Sequence, residues 1–214
     1  MATQKIVFGE WLPDQPGLSG ALLNAKNVVS QAIGYGPLST ASTFSEEADE
    51  PLTTLVAGKE PDGDTRLFAA GETKIYSVSG VGGLTDVSKT GGYTAADRFR
   101  FTQFGNSIIG TDFNDKLQSF VLGTSTDFDD LSADAPIARY ITVVRDFVVA
   151  AFIKDGSDTY PLRVQWSDLN DETNWTSSAT SQADYQDIPD GGQIIGIRGG
   201  EYGLVFLEKA IHRM

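Results

Sequence analysis

His212 is the single imidazole among the side chains of this sequence that could do acid–base or metal chemistry. There are no cysteines, so disulfides, thiolate metal sites and cysteine nucleophiles are excluded. A zinc site would have to combine His212 with carboxylates alone, which is not a usual ligand set. No nucleophile elbow supports a Ser–His–Asp triad. We interpret His212 as a bystander, and we predict no catalytic residue, no cofactor and no enzymatic activity.

Two acidic loops carry oxygen ligands of the kind that calcium prefers. One contains Asp127, Asp129 and Asp130, and the other contains Asp168, Asn170, Asp171 and Glu172. Neither has the spacing of an EF-hand loop. Acidic residues in turns usually lie in solvent, so we interpret both loops as solvated turns. A calcium-stabilised binding module remains an alternative hypothesis.

The glycine-rich stretch Ser79-Gly80-Val81-Gly82-Gly83 could be mistaken for a phosphate-binding loop. It lacks the following Gly-Lys-Ser and the helix that such a loop requires. A turn between strands is therefore the better interpretation.

The clearest local motif runs from Arg163 to Trp175, with the sequence RVQWSDLNDETNW. It resembles the sialidase Asp box, although Ser167 to Trp175 is one residue longer than that box and its central glycine is missing. We predict that Trp166 is a core anchor, and that Asp171-Glu-Thr-Asn174-Trp175 is a turn that returns the second tryptophan onto the sheet. The alternative is that Trp175 forms a glycan platform, which would make the protein a carbohydrate-binding or glycosidase-type propeller.

Composition is that of a folded chain with an acidic surface. The 214 residues are 40% hydrophobic and 21% charged, with 29 acidic against 16 basic residues and a net charge of −13. Such a charge repels phosphate backbones and argues against general nucleic-acid binding. It either keeps the protein soluble or provides a wall past which DNA slides. No apolar run of 18 residues predicts a membrane-spanning helix, and the N-terminus lacks the pattern of a signal peptide.

Residues 1–50 differ in pattern from the rest, so we predict a boundary between 1–50 and 51–214. Residues 6–8 could form a short strand, and residues 18–32 are ambiguous between helix and strand. The pair Val28-Val29, followed by Gly34 and Gly36, favours a strand and a turn. Residues 39–51 are rich in serine, threonine and acids, which predicts a solvated loop.

After residue 51 the chain repeats a strand–turn–strand hairpin. Its four occurrences pair residues 66–70 with 74–78, 107–111 with 117–121, 147–151 with 162–166, and 202–206 with 210–214. Additional strands at 98–104, 140–144 and 193–198 precede the later three hairpins. The hairpins start 41, 40 and 55 positions apart. An antiparallel unit with that period predicts β-propeller blades.

The first strand of some hairpins is apolar on both faces, as in AAFI and GLVF. Strands of this kind suit a blade covered by neighbours on both faces. We therefore predict an all-β fold of antiparallel β-meander repeats, in the form of a partial or truncated β-propeller. The last unit has no polar cap of the kind a terminal repeat needs. We expect it to be truncated, open, or completed by another chain.

Several segments together resemble a group of structural proteins from the tails of short-tailed bacteriophages and related prophages. The segments are FGEWLPDQPGL, NAKNVVSQAIGYGPL, GGYTAADRFRFTQFGNSIIGTD, APIARYITVVRDFVVAAF and RVQWSDLNDETNW, in that order along nearly the whole chain. Family members are longer, so the resemblance implies that this chain is an N-terminal part. The family has no catalytic residues that the resemblance could transfer to this chain.

The resemblance implies a tail hub, nozzle or head-completion protein below the portal, built of β-propellers arranged as a ring around the DNA channel. Its implied partners are further copies of itself and other tail and portal proteins, with DNA as passing cargo. The implied location is the virion, assembled in the host cytoplasm.

Overall fold

The computed structural model describes Glu10, Asn24, residues 26–31, 35–95 and 98–214. Within these residues the chain is all-β, with seventeen strands in five antiparallel sheets and no helix. The predicted fold class is confirmed as an all-β arrangement of antiparallel meanders with a propeller-like character. The described part accordingly contains no helix long and apolar enough to cross a bilayer.

Contacts along the chain divide it into two compact units, residues 1–43 and 44–214. In the first unit, β1 (Val28–Ser30) pairs antiparallel with β2 (Tyr35–Pro37). The strand and turn expected around Val28-Val29 are therefore present. The strand expected at 6–8 and most of the ambiguous segment 18–32 lie outside the described residues. The boundary expected after residue 50 stays a prediction.

The second unit contains four sheets that follow one another along the chain. The first sheet consists of β3 (Thr54–Lys59), β4 (Thr65–Ala70), β5 (Ile75–Val78) and β6 (Leu84–Asp86). The second consists of β7 (Arg100–Phe104), β8 (Ser107–Thr111), β9 (Gln118–Val121) and β10 (Asp129–Asp130). The third consists of β11 (Ile137–Val144), β12 (Phe147–Asp155), β13 (Asp158–Trp166) and β14 (Asp184–Asp187). The fourth consists of β15 (Ile194–Arg198), β16 (Leu204–Leu207) and β17 (Ile211–Arg213).

Each predicted hairpin is the pair of strands at positions two and three of its sheet. The sequence pattern did not reveal β3, nor the short fourth strands β6, β10 and β14. The third predicted hairpin, residues 147–151 with 162–166, is longer in the structure, because Lys154 and Thr159 also face each other across the β12–β13 pair. The register continues to Asp155 opposite Asp158, so only Gly156 and Ser157 form the turn.

The second strand of each sheet is the element that binds neighbouring sheets together. Side chains alternate between the two faces of a strand. In β12, Val148 and Ala150 pack toward the second sheet, whereas Val149 and Ala151 pack toward the fourth. In β8, Ile108 and Ile109 divide in the same way between the first and third sheets. This explains why such strands are apolar at consecutive positions.

Four sheets therefore enclose three apolar cores, one between each pair of neighbours. The first strands of successive sheets contact one another, from β3 to β7, from β7 to β11 and from β11 to β15. Each blade-like sheet thus starts at the same side of the stack and runs outward. The arrangement leaves two sheet faces that belong to none of the three cores: one on the first sheet and one on the fourth.

Candidate functional site

The predicted tryptophan loop connects β13 to β14, and its second tryptophan lies in the core. Trp175 is 3% exposed and packs among residues of the second and third sheets. Its indole Nε1 donates a hydrogen bond of 2.7 Å to the carbonyl of Glu172. The carboxylate of Glu172 in turn accepts a bond of 2.8 Å from the hydroxyl of Ser107 at the start of β8. The loop therefore braces the third sheet against the second.

The polar residues of the loop hold its shape. Asp168 accepts hydrogen bonds of 2.8 Å from the backbone N–H groups of both Leu169 and Gln182. These two bonds hold the pKa of the Asp168 carboxyl below its ordinary value. Its other oxygen accepts a bond of 3.2 Å from the side-chain amide of Asn174. Asp171 accepts from the backbone and the hydroxyl of Thr173, at 3.0 and 2.6 Å.

Trp166 contacts the far end of the loop. It is half-buried against the core between the third and fourth sheets, and its Nε1 donates to the carbonyl of Gln182 at 2.8 Å. Trp166 and Trp175, nine positions apart, thus enter two different cores. Of the four predicted residues, Trp166 ends β13, whereas Asp171, Asn174 and Trp175 lie in the loop that follows it. All four contribute packing and turn geometry there.

A glycan platform needs an aromatic face open to solvent, and the 3% exposure of Trp175 does not provide one. A cleft of about 560 Å³ lies beside it, and its lining includes Trp175, Arg163 and Tyr185. The ring of Tyr185 is 51% exposed, but the guanidinium of Arg163 lies 4.0 Å from its centre. Arg163 also lies 4.0 Å from the Tyr160 ring and forms a salt bridge with Asp187. Arg163, Tyr160 and Tyr185 therefore contact one another, and the contacted faces of the two rings are not open to a sugar.

The acidic loops and His212 do not meet. Across residues 35–95 and 98–214, together with the few described before them, no three Asp, Glu, His or Cys side chains come close enough to hold a metal ion. Asp129 and Asp127 each bond to their neighbours Asp130 and Thr126. His212 lies on β17, and its Nε2 is 3.4 Å from a carboxylate oxygen of Asp190.

The outward face of the fourth sheet carries several exposed aliphatic side chains. The inward side chains of this sheet, such as Val205 and Leu207, lie in the third core. The alternating residues Leu204 and Phe206 therefore point away from it. The register places Leu204 between Arg198 and Arg213, and Phe206 beside Ile211. We call this the terminal face; it consists of Ile195, Arg198, Leu204, Phe206, Ile211 and Arg213.

The terminal face is apolar and open. Ile195, Leu204 and Ile211 are 57%, 37% and 65% exposed. Contiguous exposed apolar patches are candidates for protein–protein contact, so this face is a candidate interaction surface. Arg198 and Arg213 flank the patch on either side of Leu204 and are exposed.

The outward face of the first sheet differs, because residues 44–53 run along it as an acidic strap. The strap is tied to the sheet where Glu46 N donates to Gly82 O at 2.9 Å and Thr53 N donates to Ala70 O at 2.8 Å. The carboxylate of Glu50 accepts bonds of 2.8 Å from the backbone N–H groups of Thr73 and Lys74. The strap adds four acidic residues to this end of the unit: Glu46, Glu47, Asp49 and Glu50.

Part of the first sheet's outward face stays open beside the strap. Tyr76 and Ala69 on this face are 4% and 3% exposed, whereas Leu55 in the same register row is 67% exposed. Phe44 and Leu52 of the strap are 63% and 41% exposed. The residues expected to form a solvated loop thus include an apolar component.

The sequence indicated a last unit without a polar cap, but it did not identify the residues of the terminal face or the open part of the first sheet. The signal for the terminal face was GLVF, which is apolar at consecutive positions. The pairing of Arg198 and Arg213 with Leu204 could be known only from the register.

Comparisons with known proteins show a similarity of fold and no similarity of sequence family. No protein-family model matches the chain, and no curated protein sequence matches it. The crystal structure of the computationally designed Ika4 protein is similar, with a TM-score of 0.53 and 11% identity over 82% of this chain and 98% of that one. A structure of BBS1N in complex with ARL6DN, soaked with mercury, has a TM-score of 0.49 and 12% identity. That match covers 83% of this chain and 55% of the BBS1N chain, so this chain spans about half of that protein's length.

Proposed function

We propose that this protein is a structural component of a bacteriophage tail, in the position of a hub, nozzle or head-completion protein. In this role, copies of the chain assemble with one another into a ring around the DNA channel and contact other tail or portal proteins. The observation that carries the proposal is the open, apolar terminal face on a stack of sheets that otherwise bury such faces between neighbours.

The two open faces of the unit are complementary in chemistry. The terminal face combines aliphatic side chains with Arg198 and Arg213, whereas the first sheet combines Leu55 and Phe44 with the acidic strap. Opposite charges around apolar centres favour contact between unlike faces and disfavour contact between like ones. A head-to-tail interface of this kind generates a closed ring when its rotation closes.

The net charge of −13 supports the role of a wall around passing DNA. An acidic surface repels the phosphate backbone, so DNA can move past without being retained. The segments that resemble tail proteins of short-tailed bacteriophages extend over nearly the whole chain and give the proposal its biological setting.

The test is whether the protein self-associates and enters tail particles. We expect the purified chain to sediment as a defined multimer of the 23.0 kDa subunit, and a tagged copy expressed during phage infection to be found in purified tails. A double substitution Leu204→Asp and Ile211→Asp places charges on the terminal face and should abolish both results. A chain that sediments strictly as a monomer and is absent from tail particles would contradict the proposal.

Leu169→Asp provides the matched control. Leu169 is 43% exposed in the tryptophan loop, away from both open faces, so an added charge there should leave assembly unchanged. Charge reversal tests the orientation. Arg198→Glu should weaken association, and Glu47→Arg on the strap of the facing copy should restore it if the two faces meet.

A further inference from the structure

A buried polar cluster lies between the first and second sheets, apart from the tryptophan loop and the open faces. Gln118 of β9 is 0% exposed and stands in one register row with Gly110 and Asp130. Residue 112 lies two positions beyond Gly110, so Asp112 continues the same face of β8. Asp112 is 2% exposed, and its Oδ1 accepts from the backbone N–H groups of Asn114 and Asp115 at 3.0 and 2.9 Å.

Hydrogen bonds and ion pairs join these residues into a single network. The side-chain amide of Gln118 donates to Asp130 Oδ1 at 2.7 Å. Lys89 Nζ lies 2.9 Å from Asp115 Oδ1 and 3.7 Å from the same oxygen of Asp130. The ring centre of Tyr93, which is 7% exposed, lies 5.3 Å from Lys89 Nζ.

The network holds more oxygen acceptors than its donors satisfy. Six buried side-chain polar atoms in the described part of the chain have no hydrogen-bond partner, and four of them belong here: Tyr93 OH, Asp112 Oδ2, Asp115 Oδ2 and Gln118 Oε1. Leaving a buried oxygen without a hydrogen-bond partner is unfavourable, so such a concentration in one place requires a physical reason. The Gln118 amide oxygen and the Tyr93 hydroxyl are not acidic groups, so they point to a ligand independently of the carboxylates.

The charge of the cluster indicates the sign of that ligand. The single ammonium of Lys89 pairs with the two carboxylates of Asp115 and Asp130, which leaves one negative charge uncompensated before Asp112 is counted. Carboxylate and amide oxygens together are a ligand set preferred by hard cations, and by calcium in particular. An anion or a neutral sugar would not relieve the excess negative charge.

We propose that this cluster binds a hard cation of the calcium type, with Asp112 Oδ2, Asp115 Oδ2 and Gln118 Oε1 as its protein ligands. Water molecules complete the coordination shell. The ion lies at the β8–β9 turn of the second sheet, beside the segment after the first sheet that contributes Lys89 and Tyr93 to the network. None of the three proposed ligands belongs to the two acidic loops identified in the sequence. Asp130 of the first acidic loop takes part in the network through its bond from Gln118.

Terbium provides a local probe, because its luminescence is excited by energy transfer from a nearby tyrosine. We expect the full chain, stripped of metal, to show tyrosine-sensitised Tb³⁺ emission that Ca²⁺ displaces, together with a melting temperature that rises with added Ca²⁺. Tyr93→Phe should remove most of the emission while the Ca²⁺-dependent rise in melting temperature persists. That pair of results places the ion beside Tyr93.

The variants separate binding from folding. Asp112→Asn and Asp115→Asn each keep the Oδ1 acceptor that the turn or Lys89 uses, so both should fold, and each should weaken Ca²⁺ affinity by about tenfold or more through the loss of a charged ligand. Asp129→Asn is the matched control in the neighbouring acidic loop, because Asp129 is exposed and its replacement still accepts from Asp130 N. It should leave the affinity unchanged.

Two results would overturn the proposal. The first is a metal-stripped wild-type chain that shows neither sensitised emission nor a Ca²⁺-dependent melting temperature, which would mean that buried water satisfies the four oxygens. The second is emission that survives in both Asp112→Asn and Asp115→Asn, or that disappears in Asp129→Asn, which would place the ion elsewhere. Mg²⁺ and Na⁺ titrations of the same samples establish the selectivity among hard cations.

Discussion

The hydroxyl of Ser107 donates a hydrogen bond of 2.8 Å to the carboxylate of Glu172, although the two residues are 65 positions apart and belong to different sheets. Ser107 is 5% exposed at the start of β8, and Glu172 lies in the loop after β13. The bond fastens the tryptophan loop to the neighbouring sheet. It is one of the polar contacts between the second and third sheets, together with the bond that the Thr111 hydroxyl donates to the Ala138 carbonyl.

We expect Ser107→Ala to lower the free energy of unfolding by about 1 kcal/mol, because a hydrogen bond to a charged group is lost while Glu172 regains contact with water. Chemical denaturation of the full chain measures the change. Glu172→Gln keeps an acceptor in place and should cost less. Equal stability of wild type and Ser107→Ala would mean that the brace contributes nothing to folding.

Replacement of Trp175 tests the larger part of the same brace. Trp175→Ala removes a buried indole and should destabilise the protein by about 3–5 kcal/mol through lost contacts and a cavity. Trp175→Phe keeps most of the apolar volume and loses the N–H group that bonds to Glu172, so its cost should be smaller. Thermal unfolding of both variants gives the comparison. A surface role for Trp175 would instead leave both variants as stable as wild type.

The Arg163–Asp187 salt bridge predicts a dependence of stability on pH. Hydrogen bonds of 2.8 and 3.0 Å from the guanidinium hold the pKa of the Asp187 carboxyl below its ordinary value. A lowered folded-state pKa gives stability that is present above the unfolded value of about 3.9 and is lost as the pH falls through the folded value. Because Asp187 is half exposed, we expect no more than about 0.5 kcal/mol.

The measurement compares the free energy of unfolding of wild type and Asp187→Asn as a function of pH. The difference should be constant near neutral pH and should shrink toward zero below about pH 4. Asp184→Asn on the same strand is the control, since its replacement still accepts the 2.9 Å bond from Tyr185 N. A difference that grows as the pH falls would contradict the assigned direction of the shift.

Gly110 in β8 and Gly196 in β15 test whether the sheet surface at each position is packed against other side chains or is open. A Cβ added at Gly110 would lie 2.6 Å from the Phe101 ring, whereas one added at Gly196 on the fourth sheet meets nothing within 4 Å. We expect Gly110→Ala to cost about 1–3 kcal/mol through overpacking. Gly196→Ala should leave monomer stability unchanged or slightly raised. Denaturant unfolding of the two variants, side by side, checks the contrast.

Much of the fold was predictable because the alternation of side chains along a strand involves only neighbouring residues. The hairpins built on Phe68, Ile108 and Val149 were located from alternation and turn residues, which short-range sequence carries directly. The short fourth strands were not, since β10 is only Asp129 and Asp130 and its pairing depends on a partner supplied by β9. The two strands of the third hairpin were predicted too short, because polar residues such as Asp158 and Thr159 occur at the end of a strand as well as in a loop.

The candidate sites were less predictable, because each depends on residues from different sheets. The sequence identified Trp166 and Trp175 as members of one loop but could not assign them to two separate cores. It also gave no indication that Asp112, Asp115 and Gln118 converge, because polar residues near a turn usually indicate solvent exposure. Only the β8–β9 and β9–β10 registers bring Gln118 and Asp130 into one row.

The sequence by itself determined that the chain is an all-β protein of repeated antiparallel hairpins with an acidic surface, because composition and alternation are properties of neighbouring residues. The tertiary structure alone decided which apolar faces are buried. Val205 and Leu204 are adjacent and both aliphatic, yet one lies in the third core and the other is 37% exposed on the terminal face. Burial depends on whether another sheet packs against that face, and this is a property of the stack that no local pattern encodes.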